Sequence, residues 1–315
     1  MAMLKAVMEV MELLDDGRVD GATVGDFFAA RGLRTSSLQR VETPAGKTDF
    51  LALVIAGTAG RSRGGSRPTL GVIGQLGGVG ARPNRLGLVS DADGAIVALA
   101  AALKLTEMQK RGDLLEGDVI VTTHICPDAP MVPHEPVPFM GSPAEMSTSL
   151  EYLVSPKMDA VLSVDTTRGN RIMNRRGFAI SPTIKEGYIL RVSEDLLTLM
   201  EHVTGAPPAV LPVTTQDLTP YGNGVYHLNS ILQPATVTKA PVVGVALTAE
   251  TAVPGSATGA SQPVDIELAA RFVVEVAKAY AAGRARFYDP VEYERLVCLY
   301  GSLDRFQGKG GDGHD

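Results

Sequence analysis

Two residues of this sequence stand where buried chain gives way to polar loop and are of types that bind cations or move protons: Asp91 and His124. Asp91 lies between an apolar stretch and the start of a helical pattern. A carboxylate there can hold a cation while the helix N-terminus orients it, or it can simply cap the helix, a role equally open to Asp93. His124 follows Val-Ile-Val-Thr-Thr directly, where a neutral imidazole can bind a transition metal or shuttle a proton; the competing reading is a hydrogen-bonded structural histidine. Just beyond, Cys126, Asp128, His134 and Glu135 mix soft and hard ligands. Their spacing fits no paired zinc pattern, and the prolines at 127, 130, 133, 136 and 138 read as a stiff extended loop. His227 and Glu250 are weaker cases of the same kind. Gly77, Gly78 and Gly80, with Arg82 and Arg85 nearby, could cradle an anion, yet the Lys-Ser/Thr of a phosphate loop is missing. Gly60-Arg61-Ser62-Arg63-Gly64 spells GxSxG, but within a Gly-, Ser- and Arg-rich stretch and not between a strand and a helix, so a nucleophilic triad has little support.

These residues need a scaffold that brings distant segments to one rim, and the hydrophobic pattern supplies one. Leu70–Gly74, Asp118–Thr123, Ala160–Val164 and Pro241–Leu247 are short, largely apolar runs that lead into polar residues, the signature of buried strands. Ala209–Val213 reads as a further strand, Ser36–Lys47 with Phe50–Ile55 as a hairpin, and Phe178–Ile184 and Tyr188–Arg191 as shorter β segments. Three-and-four apolar spacing predicts helices over Met1–Leu14, Thr23–Arg31, Ala95–Met108, Ser142–Leu153, Leu196–Val203, Asp265–Ala279 and Val291–Tyr300, with a helix or turn over Val225–Leu232. Alternating strand and helix implies a three-layer α/β architecture with a largely parallel or mixed sheet, whose chemistry gathers beyond the carboxyl ends of the strands. Residues 1–301 read as one domain. Within it, the Gly-, Ser- and Arg-rich stretch 57–68 reads as a mobile loop, and 302–315 as a disordered tail.

The whole chain narrows the function classes. With 315 residues, 45% of them apolar and 20% charged, it can bury a large core, and a net charge of -6 gives no basic footprint for nucleic acid or an anionic membrane. Its two cysteines, Cys126 and Cys298, form no disulfide framework and fit a reducing compartment; no run approaches membrane-spanning length and the N-terminus has no secretory pattern. A cytoplasmic protein acting on a small or peptide-like substrate is expected, assembled as a homo-oligomer.

The wording VTTHICPDAP, PHEPVPFMGSP and GLVSDADGAIVALAAALKL resembles, over nearly the whole chain, a bacterial family of unknown function. More distantly, the chain resembles the di-zinc aminopeptidases of the deblocking and glutamyl aminopeptidase type. In those enzymes a strand ends in His-x-Asp, a bridging Asp precedes a helix, the next strand ends in Glu-Glu, a later one in Val-Asp, and a final one precedes a His. Here Gln75 and Gly77 replace the first pair, Asp91 matches the bridging carboxylate, and Thr123-His124 replaces Glu-Glu, so the catalytic base is missing. Val164-Asp165 is kept, no His follows near Glu250, and only about a dozen residues leave no room for the inserted dimerisation domain. The resemblance therefore implies a phosphorylase/hydrolase-like fold with one divalent cation, Zn or another, held by Asp91, His124 and Asp165. Proton acceptance would fall to Glu250, His134 or Glu135. The resulting expectation is a metal-dependent hydrolase of peptide or amide bonds in small substrates. The alternative is a catalytically degenerate relative without cofactor, serving as a small-molecule-binding or assembly subunit.

Overall fold

The computed structural model describes residues 1–75, 88, 90–127, 129–132, 139–167, 172–218, 230–251 and 261–307. Helix α1, Met3–Leu14, buries Met3, Ala6, Val7, Val10 and Leu14, the apolar side of its helical repeat. Helix α2, Gly21–Ala29, starts at Asp20, whose carboxylate accepts from the Thr23 N–H at 2.9 Å. Strands β1 (Thr35–Thr43) and β2 (Gly46–Ile55) form a hairpin closed by the two-residue turn Pro44-Ala45. There follow β3 (Leu70–Gly74), α3 (Asp93–Lys110), β4 (Val119–Ile125), the short ribbon β5 (Met131–Val132) and β6 (Phe139–Met140), α4 (Met146–Leu153) and β7 (Ala160–Thr166). Three short strands β8 (Gly177–Ile180), β9 (Ile184–Lys185) and β10 (Tyr188–Ile189) precede α5 (Glu194–Thr204). A 3-10 segment, Ser230–Thr236, then leads to β11 (Val242–Thr248), α6 (Pro263–Ala281) and α7 (Pro290–Tyr300).

Among the described residues nine strands make one mixed sheet, in the order β1-β2-β4-β3-β7-β11-β9-β10, with β8 also paired to β11. Its centre, β4, β3, β7 and β11, is parallel. Every residue of β3, β4 and β11 is buried, which is why their sequences are continuous apolar runs with no alternation. The α/β class and the mixed, centrally parallel sheet are as the sequence implies.

Side chains alternate across the sheet, so two faces can be followed. One face is covered by α3 and α6, with α1 packed outside both. The approach is close enough to need glycine: a Cβ on Gly74 would lie 2.7 Å from the Gly94 carbonyl oxygen and 2.8 Å from Ala98 Cβ. Among the described residues the other face is covered more thinly. Thr122 donates to the Leu153 carbonyl of α4 at 2.7 Å, and Gly244 lies under Ile231 of the 3-10 segment.

The structure departs from the sequence reading in four places. The stretch 57–68 is held rather than mobile: Asp118 accepts from the Gly57 and Ser62 amides, both at 2.8 Å, and from the Ser62 hydroxyl at 2.7 Å. A composition of Gly, Ser and Arg suggested freedom, and a buried carboxylate from another segment removes it. Ala209–Val213 is no strand; it makes a single bridge, Val210 to Ile180, in which the Ile180 N–H donates to the Ala209 carbonyl and the Leu211 N–H to the Ile180 carbonyl. Helix α3 begins at Asp93 with Ala92 at the capping position and no side-chain cap, so neither Asp91 nor Asp93 caps it. The tail is partly packed, since Gln307 Nε2 donates to the carbonyls of Ala235 (3.0 Å) and Thr238 (2.5 Å); residues 308–315 lie outside the described residues. Residues 219–229 also lie outside them, among them 225–229 of the segment predicted as a helix or turn, and the 3-10 turn starts at Ser230.

Candidate functional site

Strand register decides which polar side chains share a surface. Ile73 is level with Thr122 of β4 and Ser163 of β7, and Gly74 with Thr123 and Val164. The ladder runs one step further, since the Gln75 N–H donates to the Val164 carbonyl at 2.8 Å. His124, Gln75 and Asp165 therefore form one row on one face, on neighbouring strands about 5 Å apart, with His124 and Asp165 about 10 Å apart at their Cα atoms. Gly244 is level with Ser163 and Ala246 with Asp165, so Thr248 follows on the same face of β11. This is the thinly covered face, at the carboxyl ends of the parallel strands.

Four buried polar atoms on this face have no hydrogen-bond partner: Gln75 Nε2, His124 Nδ1, Ser163 Oγ and Thr248 Oγ1. Each such orphan costs on the order of 1–3 kcal/mol, so natural proteins keep few of them without a reason. Their neighbours show that pairing was available to the fold. Thr122 on the same face and Thr123 on the opposite one are both satisfied, the latter donating to the Gly74 carbonyl at 2.8 Å. The four span about 15 Å, the reach of a small molecule.

His124 is 7% exposed, its ring 5.7 Å from that of Phe50, which stacks on Tyr152 of α4 at 4.9 Å. Burial without a compensating partner lowers its pKa to about 4, so the imidazole is neutral at pH 7 and presents one N–H and one lone pair. Asp165, buried on the same row, accepts from the Thr166 N–H at 2.7 Å. Asp91 is half-buried in the turn Ser90–Ala92 that leads into α3. The N-terminus of that helix packs over the ends of β3 and β7, where a Cβ on Gly94 would lie 2.5 Å from the Gln75 and Val164 carbonyl oxygens. Asp93 beside it accepts from the Ser261 hydroxyl at 2.5 Å.

The structure thus brings His124 and Asp165 to one row and Asp91 to the same end of the sheet. Among the described residues, however, no three His, Cys, Asp or Glu side chains come together as a group able to hold a metal ion. Glu250 is exposed, two residues past β11. Cys126 is buried and donates its thiol to the Lys47 carbonyl at 3.4 Å, a structural contact, and His202 is exposed on α5. His134, Glu135, Asp128, His227, the glycines at 77, 78 and 80, and Arg82 and Arg85 lie outside the described residues. Gln75, Ser163 and Thr248 were not selected from sequence as ligand-binding groups. The available signal was a neutral polar residue inside or just beyond an otherwise apolar strand, which by itself marks no chemistry.

Fold and site together define an α/β protein with a mixed sheet whose one polar, unsatisfied face lies at the carboxyl ends of its parallel strands. The chain belongs to the family described as "Protein of unknown function (DUF1177)", whose model matches residues 39–310. No curated protein matches it, and neither comparison extends to the zinc aminopeptidases. Among the described residues no helix is long and apolar enough to cross a membrane.

Proposed function

We propose that the protein binds a small polar molecule bearing amide or hydroxyl groups on the face formed by His124, Gln75, Ser163, Asp165 and Thr248. The observation that carries this reading is the set of four buried, unpaired polar atoms on that single face. Gln75 Nε2 donates, the two hydroxyls donate and accept, and a neutral imidazole offers one of each, so an amide-like ligand matches them group for group. Screening by thermal shift with small peptides, carboxamides and polyols tests it. Binders should raise the melting temperature of the unmutated protein by mass action and fail to do so for Gln75→Leu combined with Ser163→Ala. Equal shifts in both proteins would end this assignment.

A second reading is favoured by one feature, the neutral His124 on the same row as a carboxylate. In it, the fold is of the phosphorylase/hydrolase-like type and the protein is a hydrolase of amide bonds in small cytoplasmic substrates. A divalent cation such as Zn would polarise the substrate carbonyl and lower the pKa of a bound water. His124, Asp165 and Asp91 would hold it, with Glu250, His134 or Glu135 accepting the proton. Elemental analysis of protein purified without chelator, beside Asp91→Ala and His124→Ala, decides: metal in the unmutated protein that both variants lose supports hydrolysis, and none above background removes it.

A further inference from the structure

The two edges of the sheet are finished differently. At one, β10 is two residues long and the end of α7 closes over it, with the Tyr188 hydroxyl donating to the carbonyls of Leu296 (3.2 Å) and Gly301 (2.5 Å). At the other, β1 is nine residues long, mostly exposed, without proline and, among the described residues, paired only to β2. Long open edges are a liability that proteins normally blunt.

The hairpin register says which main-chain groups are open. A two-residue turn makes Thr43 and Gly46 a hydrogen-bonded pair, so Val41 and Gln39 also bond inward to β2. The N–H and C=O groups of Leu38, Arg40 and Glu42 then point outward, and no described residue bonds them. This edge matches a second copy of itself. If two β1 strands run antiparallel about a two-fold axis at Val41, Arg40 of each faces Glu42 of the other, and the valines meet at the axis. Arg40 has capacity for this. Its Nε bonds Asp49 at 2.6 Å and its Nη2 bonds Asp49 and Asp20 at 2.8 and 3.1 Å, while Nη1 takes no part in these bonds.

We infer that β1 is the interface of a two-fold dimer, in which the sheets of two chains join edge to edge about Val41 with reciprocal Arg40–Glu42 pairs. Isologous contacts of this kind close on themselves, so assembly stops at two. The inference is independent of the ligand site.

The mass of the full chain in solution, followed over about a hundredfold range of concentration, should rise to twice 33.1 kDa. Glu42→Arg sets like charges opposite Arg40 at two places and should return the mass to that of one chain, whereas Glu42→Gln should keep the dimer. Across an antiparallel pair that is not hydrogen-bonded the Cα atoms lie about 4.5 Å apart, within disulfide range. Val41→Cys, in a Cys298→Ser background that removes the exposed thiol, should therefore cross-link two chains on mild oxidation. This second variant keeps the test decisive should Glu42→Arg disturb the hairpin. A single-chain mass at every concentration, a dimer indifferent to Glu42→Arg, or a Val41→Cys protein that stays uncross-linked would each overturn the interface.

Discussion

At the scale of single residues, His124 gives the protein a pH dependence whose sign follows from its burial. The folded-state pKa of about 4 lies below the ordinary 6.5, so between those values the unfolded chain binds the extra proton. Stability from this group is complete above pH 6.5 and falls as the pH drops towards 4, by about 3 kcal/mol in all. Urea unfolding at pH 7 and pH 5 should show the loss, and His124→Gln should show less of it; an unchanged slope would mean other groups are responsible. Gln75 leads to an opposite-signed expectation. Its amide is buried and unpaired, so Gln75→Leu should stabilise the ligand-free protein by about 1 kcal/mol, measured by chemical unfolding, while losing the ligand's contribution. Asp91, His124 and Asp165 draw notice in the sequence because titratable residues at the ends of apolar runs stand out. Gln75, Ser163 and Thr248 do not, because what marks them is the missing partner, a fact about three dimensions.

At the scale of elements, Asp118 and Gly94 each carry more than their neighbours. Burial pushes the Asp118 carboxyl up, but the amide and hydroxyl of Ser62 and the amide of Gly57 outweigh it and hold it below the usual range. Asp118→Ala should cost about 3 kcal/mol in unfolding experiments and expose Arg61 and Arg63 to trypsin, with cleavage between β2 and β3 as the readout. Gly94→Ala drives a methyl into two strand-end carbonyls and should lower stability by about 3 kcal/mol by pushing α3 off the sheet. The long helices and the buried parallel strands were readable, since their periodicity and apolar runs are written locally. The held loop was not, because its anchor lies 56 residues on from Ser62, and neither was the order in which strands sit side by side.

At the scale of the molecule, the unequal layers matter. Among the described residues one face of the sheet has α3, α6 and α1 behind it and the other a short helix and a 3-10 turn, and the four orphan atoms face that second side. Prolonged dialysis against a chelator separates the two readings: an unchanged melting temperature is expected if the face holds an organic ligand, and a fall that added zinc reverses is expected if it holds a cation.

The strand order also has a consequence for synthesis. β3 comes early in the chain yet lies between β4 and β7, and β7 in turn waits for β11, which ends at Thr248. A nascent chain leaving the ribosome therefore carries Leu70–Gly74 with a bare flank until residue 166 has emerged, and Ala160–Thr166 stays bare for some eighty residues more. Such late closure makes folding slow and leaves sticky apolar ribbons on display. Production of this protein should accordingly be sensitive to chaperone supply and to growth temperature.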